Sequence, residues 1–481
     1  MKKAIIILII IFYSLLLNSE EILKYDDYVK IIQEKLPDLK INNNVVKKQQ
    51  LEVNKSYSVY DLNSSTKFYG QGTQSYTDND NSITNYSPSF GAEFKLTNKL
   101  PSGTELSTGF TYLQQYTSGE TTSANDTEIL WDKVNYDPVI SVGVTQPLLY
   151  NWFGFLDRYG IKNEENLLKI EKLQQELNNE NLLADYKKLY FQWIATIYKL
   201  ELINKTINNT TQQLNQTQKK VNLGLLEKDS LETMNYSLLN YEKQKESYIK
   251  DYEYLKNQLS FFIELENYTP EIDYFNQVLL KNYKIELDFI NFEDTQNSLI
   301  LNITKENYDL LKKSKINQVL PNLNLFANVD FNFHYAREVN DGDVYEYRFD
   351  DDDSKNVNFK AGIEFSFPLG NISARNSIKE AQIMIDDIIL EYERTKKQYD
   401  YNISNIIAYH KYLQNVIRIN SEAIKSLSTK YSFQLNEYKK GLADLDDLVD
   451  TDNSITDERM NEINFKVNLI NNIVDYEYLT K

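Results

Sequence analysis

The chain has 481 residues and is acidic, with 52 Lys and Arg against 70 Asp and Glu and a net charge of −18. That balance excludes a nucleic-acid surface, which needs a basic stripe; here the cations are spread singly among acids and amides. There is no cysteine, so neither a disulfide nor a lipid carried on cysteine is available.

The N-terminus reads Met1-Lys2-Lys3, then an apolar run from Ala4 to Leu17, then Asn18-Ser19. A basic start, a short apolar run and a small residue predict a signal peptide over residues 1–19. The alternative is an uncleaved anchor, but the run is short for a membrane helix. No later stretch of about 20 apolar residues follows. A closed β-barrel would be the remaining way to span a membrane. The 37 tyrosines fit either an interfacial aromatic girdle or a codon bias toward Tyr, Asn, Lys and Ile. Many lie in helical stretches, which favours the second.

Residues from Ile22 to Tyr60 have helical spacing, interrupted at Leu36-Pro37-Asp38. From Ser64 to Gln146 the period becomes two. Ser89 to Leu96 and Glu105 to Tyr112 alternate around the turn Leu100-Pro101-Ser102-Gly103-Thr104, which predicts a β-hairpin. Val139 to Thr145 alternates again, with Ile140, Val142 and Val144 on one face and Ser141, Gly143 and Thr145 on the other. Such two-sided strands suit a barrel wall; a soluble sandwich edge is the alternative.

Residues 161–263 contain no proline and one glycine, Gly224. Apolar residues at Leu182, Tyr186, Leu189, Trp193, Ile197, Leu200, Ile203 and Ile207 keep the spacing of packed long helices. This predicts a helical hairpin turning at Gly224. Residues 267–292 are mixed. A helix from Thr295 to Val319 ends at Leu320-Pro321, and strands follow over 324–333 and 358–367. A second helical hairpin runs from Ser377 to the C-terminus with its bend at Gly441.

The chain therefore repeats a helix–strand–strand–helix unit. Pro147 to Gly224 spans 77 residues and Pro368 to Gly441 spans 73. The expected organisation is a signal peptide (1–19), a first repeat (20–265), an equatorial linker (266–294) and a second repeat (295–481). One chain offers about six strands, below the roughly eight of the smallest membrane barrels, so several copies would have to share one.

In order and spacing, these features resemble the TolC outer-membrane efflux family, over almost the whole chain from Ile22 to Leu479. The carrying residues are Leu320-Pro321 before a strand, and Gln146-Pro147-Leu148 and Phe367-Pro368-Leu369 after one. At the bends they are Asn222-Leu223-Gly224-Leu225 and Tyr438-Lys439-Lys440-Gly441-Leu442. The resemblance implies a mainly α fold with a β segment, its long helical hairpins forming a trimeric tunnel under a shared transmembrane β-barrel. It implies a non-enzymatic, passive exit duct of a tripartite efflux or type I secretion system, placed in the outer membrane and reaching into the periplasm. The partners would be two further copies, a periplasmic adaptor, an inner-membrane pump and outer-membrane lipid, with no cofactor. The alternative is an exported coiled-coil structural or adhesion protein.

The resemblance also implies site residues. Asp447 and Asp450 match the aspartates of the family's constriction, and Tyr438 matches a tyrosine that holds the closed state. Gly224, Leu225, Gly441 and Leu442 match the tips that an adaptor grips. Ala443 and Ser230 depart from the family's arginine and aspartate at a closing contact, for which Glu227, Asp229 or Asp444 could substitute. From the residues alone, Asp447 and Asp450 lie three apart and share a helix face. Copies in a ring would crowd like charges there; a solvated acidic face is the alternative, since Asp444, Asp446 and Asp452 are acidic too.

Enzyme chemistry is not signalled. His334 and His410 are the only histidines, and neither has a second ligand at metal spacing. There is no Walker loop, GxSxG or dinucleotide fingerprint. Asp350 to Asp353 reads as a solvated loop tip without the spacing of a calcium loop.

Overall fold

The computed structural model describes residues 21–481 apart from 79–81, 124–125, 225, 262–267, 339–354, 441 and 443–444. The expected signal peptide and the Asp350 to Asp353 loop lie outside the described residues. The chain divides into two compact units, one of residues 47–170 and 302–390, the other of residues up to 46, 171–301 and 391–481.

In chain order the elements begin with β1 (Glu21–Leu23), α1 (Tyr25–Lys35) and α2 (Pro37–Ser56). Pro37 opens α2, where its missing N–H costs nothing. Four strands follow: β2 (Asn63–Asp78), β3 (Ser82–Lys99), β4 (Glu105–Ser123) and β5 (Asp126–Pro147). The first hairpin is α3 (Phe155–Asn222) and α4 (Lys228–Ser260), followed by β6 (Tyr268–Pro270) and α5 (Ile272–Tyr283). Then come α6 (Gln296–Val319), β7 (Asn322–Phe333), β8 (Tyr335–Glu338), β9 (Lys355–Ser366) and the second hairpin, α7 (Ile372–Lys440) and α8 (Leu445–Leu479).

The sheet belongs to the first of the two units. Its order is β2-β3-β4-β5-β7-β9, all antiparallel, with β8 also pairing β5. The predicted hairpin is present: Gly103 donates to the Leu100 carbonyl and Leu100 to that of Thr104, both at 2.8 Å, between β3 and β4. Gly103 has φ +74° and abuts Gly154, where an added Cβ would lie 2.6 Å from the Gly154 nitrogen. Only a residue without a side chain fits that approach.

The register sorts the sheet into two faces. Phe94 opposes Phe110, Phe110 opposes Ile140, Ile140 opposes Phe331 and Phe331 opposes Val357. These residues form one apolar row, and they are exposed, as are Phe68 and Phe359 at 70% each. The other face carries Lys95, Gly109, Ser141, Asp330 and Asn358 across the same strands. The two-sided character predicted for 139–145 thus extends across the sheet.

The barrel expectation is corrected. β2 and β9, the end strands, each pair on one side only and are not joined to each other. A barrel exists only where the last strand closes on the first. The chain is mainly helical with an open sheet, not a trimeric tunnel under a shared transmembrane β-barrel. The helix–strand–strand–helix duplication is also unequal among the described residues, since four strands of the sheet, β2 to β5, lie between α2 and α3 while β7, β8 and β9 lie between α6 and α7. With the barrel go the expected passive duct through the outer membrane, barrel-borne transmembrane transport and a membrane-spanning location. Among the described residues no helix is long and apolar enough to cross a membrane.

The core of the other unit is aromatic. Tyr28, Ile32, Tyr190, Trp193, Ile194, Leu259 and Phe275 are almost fully buried together. Above them β1 and β6 pair in parallel, Ile22 opposite Thr269. The Tyr190 hydroxyl donates to the Leu23 carbonyl at 2.9 Å and accepts from the Glu271 amide at 3.0 Å, tying both strands to α3. Burial, with the Glu271 and Tyr274 charges adding to it, raises the Tyr190 phenol well above its ordinary range against the pull of the Glu271 amide, so it stays a donor.

Candidate functional site at the helical tips

The two hairpins meet near their bends in one apolar cluster. Met234 of α4, Tyr438 of α7 and Leu445, Leu448 and Val449 of α8 are buried there, with Leu214, Leu226, Tyr431 and Leu435 packed around them. The spacing of Leu445, Leu448 and Val449 is three and four, one face of α8. The opposite face carries Asp446, Asp447 and Asp450, all exposed. Asp447 and Asp450 thus stand three residues apart on the exposed side of α8.

At the first bend Gly224 has φ +69° and its amide donates to the Val221 carbonyl at 2.9 Å. It ends α3 in the left-handed conformation that favours glycine. Nothing lies near its missing Cβ. At the second bend the Leu442 amide donates to the Glu437 carbonyl at 2.9 Å, closing α7. Leu223 and Leu442 are each 73% exposed, one at either bend. Leu225, Gly441, Ala443 and Asp444 lie outside the described residues.

Tyr438 is buried, but its hydroxyl has no hydrogen-bond partner. Its ring instead receives the Lys220 ammonium at 3.8 Å from the centroid, a cation–π contact from α3 to α7. Among the described residues no ion pair joins Glu227 or Asp229 across the tips. Sequence reasoning did not find Lys220 or Met234. A faint signal exists: Lys219-Lys220 stands before the first bend as Lys439-Lys440 does before the second.

Below the apolar cluster lies a polar layer. Gln213 of α3 donates to the Tyr431 hydroxyl of α7 at 2.5 Å, and the Tyr241 hydroxyl of α4 donates to Asn453 of α8 at 2.5 Å. Burial, with Asp452 adding to it, pushes the Tyr431 phenol up to about 12. Burial also raises the carboxyl of Asp452 above the ordinary carboxylate range, against the pull of Arg459. No three carboxylate or imidazole groups converge as metal ligands would, among the described residues. Of the two histidines, His334 Nδ1 lies 2.6 Å from Asp137 Oδ1, and His410 is buried on α7.

No protein-family model and no curated protein matches the sequence. Solved structures do. The chain is similar to CusC, described for its folding and transmembrane channel formation, at 12% identity and a TM-score of 0.64, over 94% of this chain and 91% of that one. It is similar to the outer membrane protein VceC of Vibrio cholerae at 12% identity and a TM-score of 0.62, over 95% of each. It is similar to the open MtrE outer membrane channel of Neisseria gonorrhoeae at 12% identity and a TM-score of 0.61, over 94% and 88%. These solved structures are described as a transmembrane channel, an outer membrane protein and an outer membrane channel. The chain therefore shares the fold of these solved outer-membrane channel structures.

Proposed function

We propose that the chain is a non-catalytic subunit of an export assembly, acting through contacts with two further copies of itself, a periplasmic adaptor and an inner-membrane pump. The observation that carries this reading is the open sheet. Its end strands present unpaired backbone along β2 and β9, and nearly every residue of 63–75 and 355–366 is exposed. Long exposed edges are templates for pairing with another chain, and a second copy supplies the complementary edge. A coiled-coil fibre needs no such sheet, which weighs against the alternative.

On the same reading the tips are the adaptor contact, with Gly224, Leu225, Gly441 and Leu442 at the two bends. The exposed Leu223 and Leu442 offer apolar anchors of the kind that dominate interfaces. Asp447 and Asp450, beside Tyr438, form an acidic constriction where copies converge. The two sequence repeats, 20–265 and 295–481, are read as the halves that make the two tips alike.

The test uses the absence of native cysteine. Lys67→Cys on β2 with Lys360→Cys on β9 places one thiol on each edge. Oxidation in detergent gives a disulfide-linked series ending at three chains. A product that stays at one chain, with unreacted thiols, overturns the proposal.

A further inference from the structure

The connection between α5 and α6, residues 284–291, carries no regular secondary structure before the short turn at 292–294. Its carbonyls are nevertheless taken up, in series, by side chains of the second hairpin. Gln414 Nε2 of α7 donates to Tyr283 O at 2.9 Å and to Ile285 O at 3.3 Å. His410 Nε2 lies 3.0 Å from Ile285 O. The Tyr476 hydroxyl of α8 donates to Asp288 O at 2.9 Å, and the Tyr399 hydroxyl of α7 to Ile290 O at 3.0 Å. The segment is a strap held down by side-chain donors.

These donors differ in one respect. Gln414 does not titrate. Burial pushes the Tyr399 phenol up to about 12 and raises that of Tyr476. His410 alone belongs to the side-chain type that changes charge between about pH 5 and 8. A carbonyl accepts, so the neutral ring carries its proton on Nε2. Its Nδ1 is buried and has no partner, and the residue as a whole is 2% exposed.

We propose that His410 is an acid-released pin: protonation at Nδ1 detaches the 283–291 strap from α7. The added N–H would be a donor with no acceptor, on a ring already excluded from water. Both are unfavourable inside a protein. Among the described residues no charged group shifts the His410 imidazole, whose polar partner is the Ile285 carbonyl. The end of α5 contributes Tyr283, whose hydroxyl donates to the Gln414 carbonyl at 3.2 Å. From α8, Asn472 is spent on the Ile406 carbonyl and Leu469 is apolar. Burial dominates and lowers the imidazole below its ordinary range, while the Ile285 carbonyl opposes it. His334 differs: it is partly exposed and faces the Asp137 carboxylate, so it has a partner for the charge.

The experiment is hydrogen exchange of the full chain, followed at residues 283–291 between about pH 7 and about pH 5 and corrected for intrinsic rates. The wild type loses protection there as the pH falls. His410→Gln keeps a donor for Ile285 O, does not titrate, and holds its protection across the range. Equal acid loss in His410→Gln, or none in the wild type, overturns the proposal. A second measurement guards against a variant that misfolds. In His334→Gln the single remaining imidazole is titrated by NMR, and a midpoint at or above that of an ordinary histidine overturns it as well.

Discussion

Tyr438 separates two ways in which an aromatic residue can join two helical hairpins. Its hydroxyl is buried without a partner, and its ring is buried against Met234 and Leu448 with Lys220 above it. Tyr438→Phe removes only the hydroxyl. An unsatisfied buried polar group costs about 1–3 kcal/mol, so Phe is expected to be neutral or more stable by roughly 1 kcal/mol. Tyr438→Ala removes the ring, which costs about 3–5 kcal/mol in a packed core. Lys220→Met tests the cation: it costs about 0.5–1 kcal/mol with the ring present and nothing in the Tyr438→Ala background. Urea midpoints at unchanged slope measure all four terms, and the cycle isolates the pair. A loss above about 1 kcal/mol in Tyr438→Phe would mean that the hydroxyl holds the hairpins, and would refute the reasoning.

Three further outcomes are expected. The Asp452 carboxyl has its folded pKa raised, chiefly by burial. Its contribution is complete below the unfolded carboxylate range and is lost as pH rises through the folded value; melting temperatures should fall from acid toward neutral pH, and Asp452→Asn should flatten that slope. Gly103→Ala places a Cβ against the Gly154 backbone and should cost at least about 2 kcal/mol, whereas Gly224→Ala has open space and should cost about 1 kcal/mol for its left-handed φ alone; paired thermal melts compare them. Tyr190→Phe should cost only about 1 kcal/mol, because Leu23 O keeps the Glu271 amide at 3.2 Å, while Tyr190→Ala should cost about 3–5 kcal/mol by denaturant midpoint.

Much of the fold is legible because local chemistry and tertiary packing agree. The helix before Leu320-Pro321 ends at Val319, and the Pro101-Ser102-Gly103 turn joins paired strands. Other features need long-range contacts. The parallel β1–β6 pair joins three-residue segments far apart in sequence, too short for any period to show. α3 begins at Phe155 rather than Ile161 because Asn151 Oδ1 accepts from the Leu156 amide at 2.8 Å and Asp157 pairs with Lys99 of β3. At the site, the three-residue spacing of Asp447 and Asp450 gave their common face. The Lys220–Tyr438 contact depends on the register of two hairpins, which no spacing within either one encodes.

The open sheet also bears on how the chain survives before it meets its partners. Its apolar row is uncovered and its two edges are unpaired over many residues. On the proposed pairing of copies, the stability of such a protomer rises with its own concentration, because association removes the exposed surface only from the folded form. At low concentration, folding and assembly compete with edge-to-edge mispairing of nascent chains. If copies pair through these edges as proposed, a newly made subunit is a short-lived species, and the rate at which copies find one another sets the yield of folded protein.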